Sequence, residues 1–141
     1  MATIFKWIEN MNISKINIPK IEDVRGNLSV IENGILPFEI KRVYYLYDVP
    51  AGAERGGHSH IEQNEFLIAL SGSFDVILND GETEATVTLN KPFEGLLIKN
   101  GIWRELKNFS SGAVCLVIAS DVFKEEDYIR DFNQFLKSKN S

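Results

Sequence analysis

The sequence predicts an all-β protein, an antiparallel sandwich or barrel of short strands with one C-terminal helix. Three observations carry this expectation. Short runs rich in Val, Ile, Leu, Phe and Tyr recur along the chain, as a pleated surface prefers. Tight reversals join several of them: Ser71-Gly72-Ser73, and Asn79-Asp80-Gly81, whose Asp-Gly pair supplies the positive φ of a hairpin turn. Near the C-terminus the apolar period lengthens from that of a strand to that of a helix.

The strand-like runs cover residues 28–32, 40–47, 65–70, 73–78, 83–89, 95–98 and 113–120. Many short strands joined by such turns argue for a sandwich or barrel over a parallel sheet. A helix is expected over residues 124–139, because Tyr128, Ile129, Phe132, Phe135 and Leu136 recur at helical spacing. Glu125, Glu126 and Asp127 stand at its start and Lys137 and Lys139 at its end, an order that suits the helix dipole. Its apolar stripe is expected on the outside of the β-structure.

At 141 residues, 44% hydrophobic and 25% charged, the composition is that of one globular domain over 1–141. The formal net charge of −5 excludes a global basic field for nucleic acid, so an anionic ligand needs local arginines. The lone cysteine, Cys115, sits in an apolar run and reads as a small core residue. The stretch from Met1 to Asn10 has no uninterrupted apolar run, and no segment is long and apolar enough for a membrane helix. A cytoplasmic protein is the expectation.

The chain holds only two histidines, His58 and His60, two residues apart. On a strand this spacing points both rings to one face. Gly56-Gly57 precede them and would let something approach the backbone closely. The stretch Gly52-x5-His58-x-His60-x4-Glu65-x6-Gly72 resembles the first motif of the cupin superfamily. In metal-binding cupins the two His and the Glu are ligands, joined by a later His in a Pro-x-Gly-x-x-His motif. Here that second motif is Lys99-Asn100-Gly101-Ile102-Trp103-Arg104, with Arg104 in the place of the His. A guanidinium cannot ligate a metal. His58, His60 and Glu65 alone would still make a two-His-one-carboxylate set.

A closer resemblance spans residues 25–135. Asp23-Val24-Arg25-Gly26-Asn27-Leu28, Ile40-Lys41-Arg42-Val43-Tyr44-Tyr45, Arg55-Gly56-Gly57-His58-Ser59-His60, Gly101-Ile102-Trp103 and Asp127-Tyr128-Ile129-Arg130 follow one another as in the sugar-nucleotide 3,4-ketoisomerases. That resemblance implies a small cupin-type β-barrel (a jelly roll), a homodimer, and no metal or other cofactor. The implied substrate is a dTDP-4-keto-6-deoxyhexose, whose keto group moves between C4 and C3. An aminotransferase then uses the product for surface polysaccharide. The chain departs from the family pattern at Glu65, where Gln is usual, and at Arg104, where His is usual.

Moving a ketone from C4 to C3 needs a base, an acid and donors for an oxyanion. Histidine suits both proton steps. His60 is expected as principal base or shuttle and His58 as acid or orienting group, though the sequence does not decide which does which. Arg42 and Tyr44 share one strand face and could contact the substrate, with Arg104; Arg42 could instead pair with Glu39 or Glu65. Arg25 and Arg55 are further diphosphate candidates, or surface charges. Tyr45 and Trp103 are candidates to stack on thymine, or packing residues. Three other readings stay open: a metal-dependent cupin enzyme, a sugar-nucleotide 3,5-epimerase, and a sugar-binding module without turnover.

Overall fold

Inward and outward side chains alternate along most of the chain, and they build two sheets. The computed structural model describes residues 11–140; residues 1–10 and 141, including the Met1–Asn10 stretch, lie outside the described residues. The strands are β1 (Ile13–Asn17), β2 (Lys20–Ile21), β3 (Leu28–Ser29), β4 (Arg42–Leu46), β5 (Arg55–His60) and β6 (Glu65–Ser71). They continue with β7 (Phe74–Asn79), β8 (Glu84–Leu89), β9 (Glu94–Ile98), β10 (Trp103–Lys107), β11 (Val114–Ala119) and β12 (Tyr128–Ile129). Among the described residues one α-helix, α1 (Phe132–Lys139), follows β12.

The first sheet has the order β1-β9-β6-β11-β4 and the second β12-β5-β10-β7-β8; β2 and β3 form a small ribbon apart. All pairings among these strands are antiparallel. The all-β expectation with a C-terminal helix holds, but the sheets are packed face to face and not closed into one barrel. Between them lies the main core, with Leu67, Ala69, Phe74, Val76, Leu78, Leu96 and Val117 buried. A second cluster, with Ile18, Leu36, Phe66, Ile68, Leu97 and Ile118, covers the outer face of the first sheet. The β6–β7 turn needs Gly72: its φ is +66°, and a Cβ there would stand 2.9 Å from the Ala113 Cα. Cys115 is free and buried in the main core.

Two expectations need correction. Strands β1, β5 and β10 escaped the apolar pattern, because β5 carries Gly-Gly and His, and β10 alternates Arg104 inward with charged residues outward. The helix is shorter than 124–139. Glu125–Asp127 make a single 3₁₀ turn and Tyr128–Ile129 a strand, with Tyr128 opposite His60 and Ile129 opposite Ser59. Helix α1 starts only at Phe132, capped by Asp131, whose side chain accepts from the Gln134 N–H. The ladder to β5 satisfies backbone groups that a helix would otherwise have used. The remaining helix does pack outside the second sheet, with Phe135 fully buried and Phe132 edge-on to Trp103. Among the described residues no helix is long and apolar enough to cross a membrane.

Candidate active site

Side chains pointing between the sheets change character along the strands. The inward row of β6 runs Ala69, Leu67, Glu65; that of β10 runs Leu106, Arg104; that of β4 runs Leu46, Tyr44. One end of the interior is therefore apolar and the other polar. At the polar end lies a cavity of about 410 Å³, lined by Arg42, Tyr44, Arg55, Gly56, Gly57, His58, Glu65, Arg104, Phe123, Tyr128 and Arg130, with Leu46, Leu67, Leu106 and Val117 beneath.

Strand β5 delivers the histidines through a β-bulge. His58 pairs with Arg104 and Arg55 with Leu106, so three steps on β5 match two on β10. Gly56, at φ +80°, takes the positive-φ position of this bulge. The positive φ of Gly56 thus serves the register, whereas a Cβ added at Gly57 would make only ordinary contact with Trp103. Past the bulge His58 and His60 share the inner face, with their Nε2 atoms 3.1 Å apart. His58 lines the cavity, while the fully buried side chain of His60, the residue expected as principal base, lies behind it. Behind His60 in turn stands Asp127, its Oδ2 3.1 Å from Nδ1.

Glu65 is the hub of the site. Its carboxylate accepts the Tyr44 hydroxyl at 2.6 Å, the Gln63 amide at 2.9 Å and the Arg104 guanidinium at 2.7 Å, with His60 Nε2 at 3.5 Å. Arg104 also donates to the Ile102 carbonyl from Nε and Nη2. Glu65 and Arg104 are thus one buried ion pair. Burial alone would raise the Glu65 carboxyl. The neighbouring His60, the Arg104 charge and the Tyr44 hydroxyl outweigh it and hold the group below the usual carboxylate range. Burial and the Glu65 carboxylate push the Tyr44 phenol well above its ordinary value, so Tyr44 keeps its hydrogen and donates it to Glu65. Burial, the Arg104 guanidinium and His60 push the His58 ring down to about 3, leaving it neutral at ordinary pH.

His58, His60 and Glu65 hold their ligand atoms within 4.8 Å of one another, the geometry of a metal set. The donors do not fit a divalent cation. The Arg104 guanidinium occupies the Glu65 oxygen that faces His60, and Tyr44 and Gln63 take the other. A cation there would face a fixed positive charge and a carboxylate whose two oxygens already accept three hydrogen bonds.

Arg42 has neither Glu39 nor Glu65 as a partner. Its Nη2 reaches Gln63 Oε1 and Tyr128 Oη at 3.4 Å each, its guanidinium lies over the Tyr44 ring, and its Nε is buried without a partner. Among the described residues it makes no ion pair. Arg55 lines the cavity. Arg25 does not; it is exposed in the β2–β3 ribbon and pairs with Asp23 at 2.9 Å. Trp103 is buried on the outer face beneath α1, donating to Glu105, and Tyr45 is exposed beside Tyr47. Neither ring lines the cavity. Sequence reasoning missed Gln63, Phe123, Asp127, Tyr128 and Arg130 as site residues. The Asp127–Arg130 segment was visible as part of the family resemblance but was read as helix, which hid its contact with β5.

The family description "FdtA: WxcM-like, C-terminal" matches residues 11–140. A TDP-4-oxo-6-deoxy-α-D-glucose-3,4-oxoisomerase from Aneurinibacillus thermoaerophilus is 45% identical over 123 residues, 86% of this chain and 88% of that protein. A 3,4-ketoisomerase from Helicobacter canadensis superposes with a TM-score of 0.91 at 44% identity, over 93% of this chain and 99% of its own. A histidine-to-asparagine variant of the 3,4-ketoisomerase QdtA from Thermoanaerobacterium thermosaccharolyticum was solved with TDP-4-keto-6-deoxyglucose. It gives 0.90 at 38% identity, over 92% of this chain and 94% of its own. With a matching family over nearly its whole described length and relatives of this identity, the chain belongs to the sugar-nucleotide 3,4-ketoisomerase family.

Proposed function

We propose that the protein isomerises a TDP-linked 4-keto-6-deoxyhexose to its 3-keto isomer. The observation that carries this reading is a neutral histidine, His58, at the wall of a cavity that also holds the half-buried Arg42, whose buried Nε has no partner. His58 takes the proton from C3, and the electron pair of that bond forms the C3–C4 double bond of an enediolate. A proton is then returned to C4, while the hydroxyl hydrogen of O3 ends on O4, so substrate and product are isomers. Arg104, whose guanidinium borders the cavity, faces the developing oxyanion. Tyr44 contributes by holding Glu65. Arg42 and Arg55 are placed for the diphosphate, since guanidinium forks match phosphate oxygens. Phe123 and Tyr128 supply the aromatic wall for thymine, in place of Tyr45 and Trp103.

The 3-keto product is a substrate for amination, as in the making of deoxyamino sugars for surface polysaccharide. A cytoplasmic enzyme fits a chain whose one cysteine is free and buried.

Proton NMR of the pure protein with TDP-4-keto-6-deoxyglucose in heavy water tests the reading. The expected outcome is a 3-keto isomer with exchange at C3 and C4. Deuterium at C5 would make it a 3,5-epimerase, and an unchanged but bound substrate would make it a binding module. Activity lost on chelation together with stoichiometric metal would overturn the metal-free mechanism.

The working form is a homodimer. Its supporting observation is the apolar surface on the outer face of the first sheet, where Val43, Tyr45, Tyr47 and Leu70 stand exposed. Sedimentation is expected at twice the chain mass; a species at the single-chain mass across the concentration range would dismiss the dimer.

A further inference from the structure

Strand β12 and the turn before it bring Asp127 to the far side of the histidine pair. Its Oδ1 accepts the Glu62 N–H at 2.7 Å and its Oδ2 accepts the Gln63 N–H at 3.2 Å. These two backbone donors fix the plane of the carboxylate and present it to His60 as an acceptor. The partner it meets is Nδ1 of His60, 3.1 Å from Oδ2. A hydrogen therefore belongs on Nδ1, and the other ring nitrogen of His60, Nε2, points at His58 Nε2 across 3.1 Å. Between two Nε2 atoms there is room for one hydrogen. When the pair is neutral, that hydrogen sits on His58.

From this geometry we infer that Asp127 is a positioning residue that locks His60 in the Nδ1–H form, making the two histidines a proton relay. This rests on the isomerase reading for its catalytic consequence. As His58 gains the C3 proton, its Nε2 hydrogen passes to His60 Nε2. The imidazolium so formed stands between two carboxylates, Asp127 at 3.1 Å and Glu65 at 3.5 Å. On protonation of C4 the hydrogen returns to His58, so one proton enters the relay and one leaves. Without the acceptor at Nδ1, His60 is free to turn its hydrogen toward His58, and the relay has no empty place to receive a proton.

The test uses the full chain and two readouts. In nitrogen-15 spectra of the substrate-free protein, His60 Nδ1 is expected to carry hydrogen. In Asp127→Asn the side-chain amide faces His60, and Nδ1 is expected to become an unprotonated acceptor. In the same variant kcat is expected to fall about 10²–10⁴-fold while KM moves within about threefold. Asp127→Glu, which keeps the acceptor, is expected to recover part of kcat. A hydrogen-free Nδ1 in the unaltered protein would overturn the proposal, whether or not the variant folds. So would an Asp127→Asn protein with unchanged kcat. A wild-type protein that shows the expected tautomer yet turns nothing over would overturn the isomerase reading and leave the locked tautomer standing.

Discussion

His58→Asn is expected to lower kcat for the 4-keto sugar nucleotide by about 10²–10⁴-fold, the range for loss of a general base, with TDP affinity within about threefold of the unaltered protein. The split follows from where the groups stand. His58 is the ring at the cavity wall, while Arg42 and Arg55, the arginines set for the diphosphate, lie on other parts of the lining. Asparagine keeps a polar group opposite His60, so the variant tests proton transfer with little change in packing. Steady-state kinetics and a TDP titration read the two quantities separately. An unchanged kcat would move the base role to another residue.

The same variant has a signature in stability. The unfolded chain takes up a proton on His58 near the ordinary histidine value of about 6.5, the folded chain only near about 3. Between these values the unfolded state binds the extra proton. Stability is therefore full above the upper value and declines as pH falls, by on the order of 1.4 kcal/mol per pH unit from this group. Denaturant unfolding at several pH values is expected to show a shallower acid decline for His58→Asn than for the unaltered protein.

The second large effect concerns Glu65. Glu65→Leu leaves the Arg104 guanidinium, 2% exposed, buried without its carboxylate. Breaking such a pair from one side costs about 3–5 kcal/mol, a fall in Tm of roughly 10–20 °C for a chain of this size. Tyr44 and Gln63 lose an acceptor in the same change. Adding Arg104→Met removes the stranded charge and is expected to restore most of the lost stability, since apolar replacement of a whole buried pair is often neutral. Calorimetry of the single and double variants decides it. A single variant melting within about 2 °C of the parent would mean that the pair contributes little to stability.

Much of this was legible in the sequence. Runs of β-branched and aromatic residues, with Gly and Asp at the reversals, marked four of the five strands of the first sheet and two of the five of the second. The spacing of His58 and His60 placed both rings on one face, and the alternation of Arg42 with Tyr44 put those two on one face as well. These are local facts: a strand has a period of two whatever it packs against. What tertiary structure alone decided is which of two like residues meets the cavity, and which residues face each other across strands. His58 and His60 are equivalent by period, and only the Asp127 side of β12 puts one in front of the other. Arg104 and Glu65 are 39 residues apart, and each alone looked like a departure, until the packing of β6 against β10 joined them at 2.7 Å. The segment from Glu125 to Ile129 shows the limit most clearly. Its helical spacing was real, but the hydrogen bonds that β5 offered its backbone are long-range. No local pattern records them, and they turned a predicted helix into the strand that completes the site.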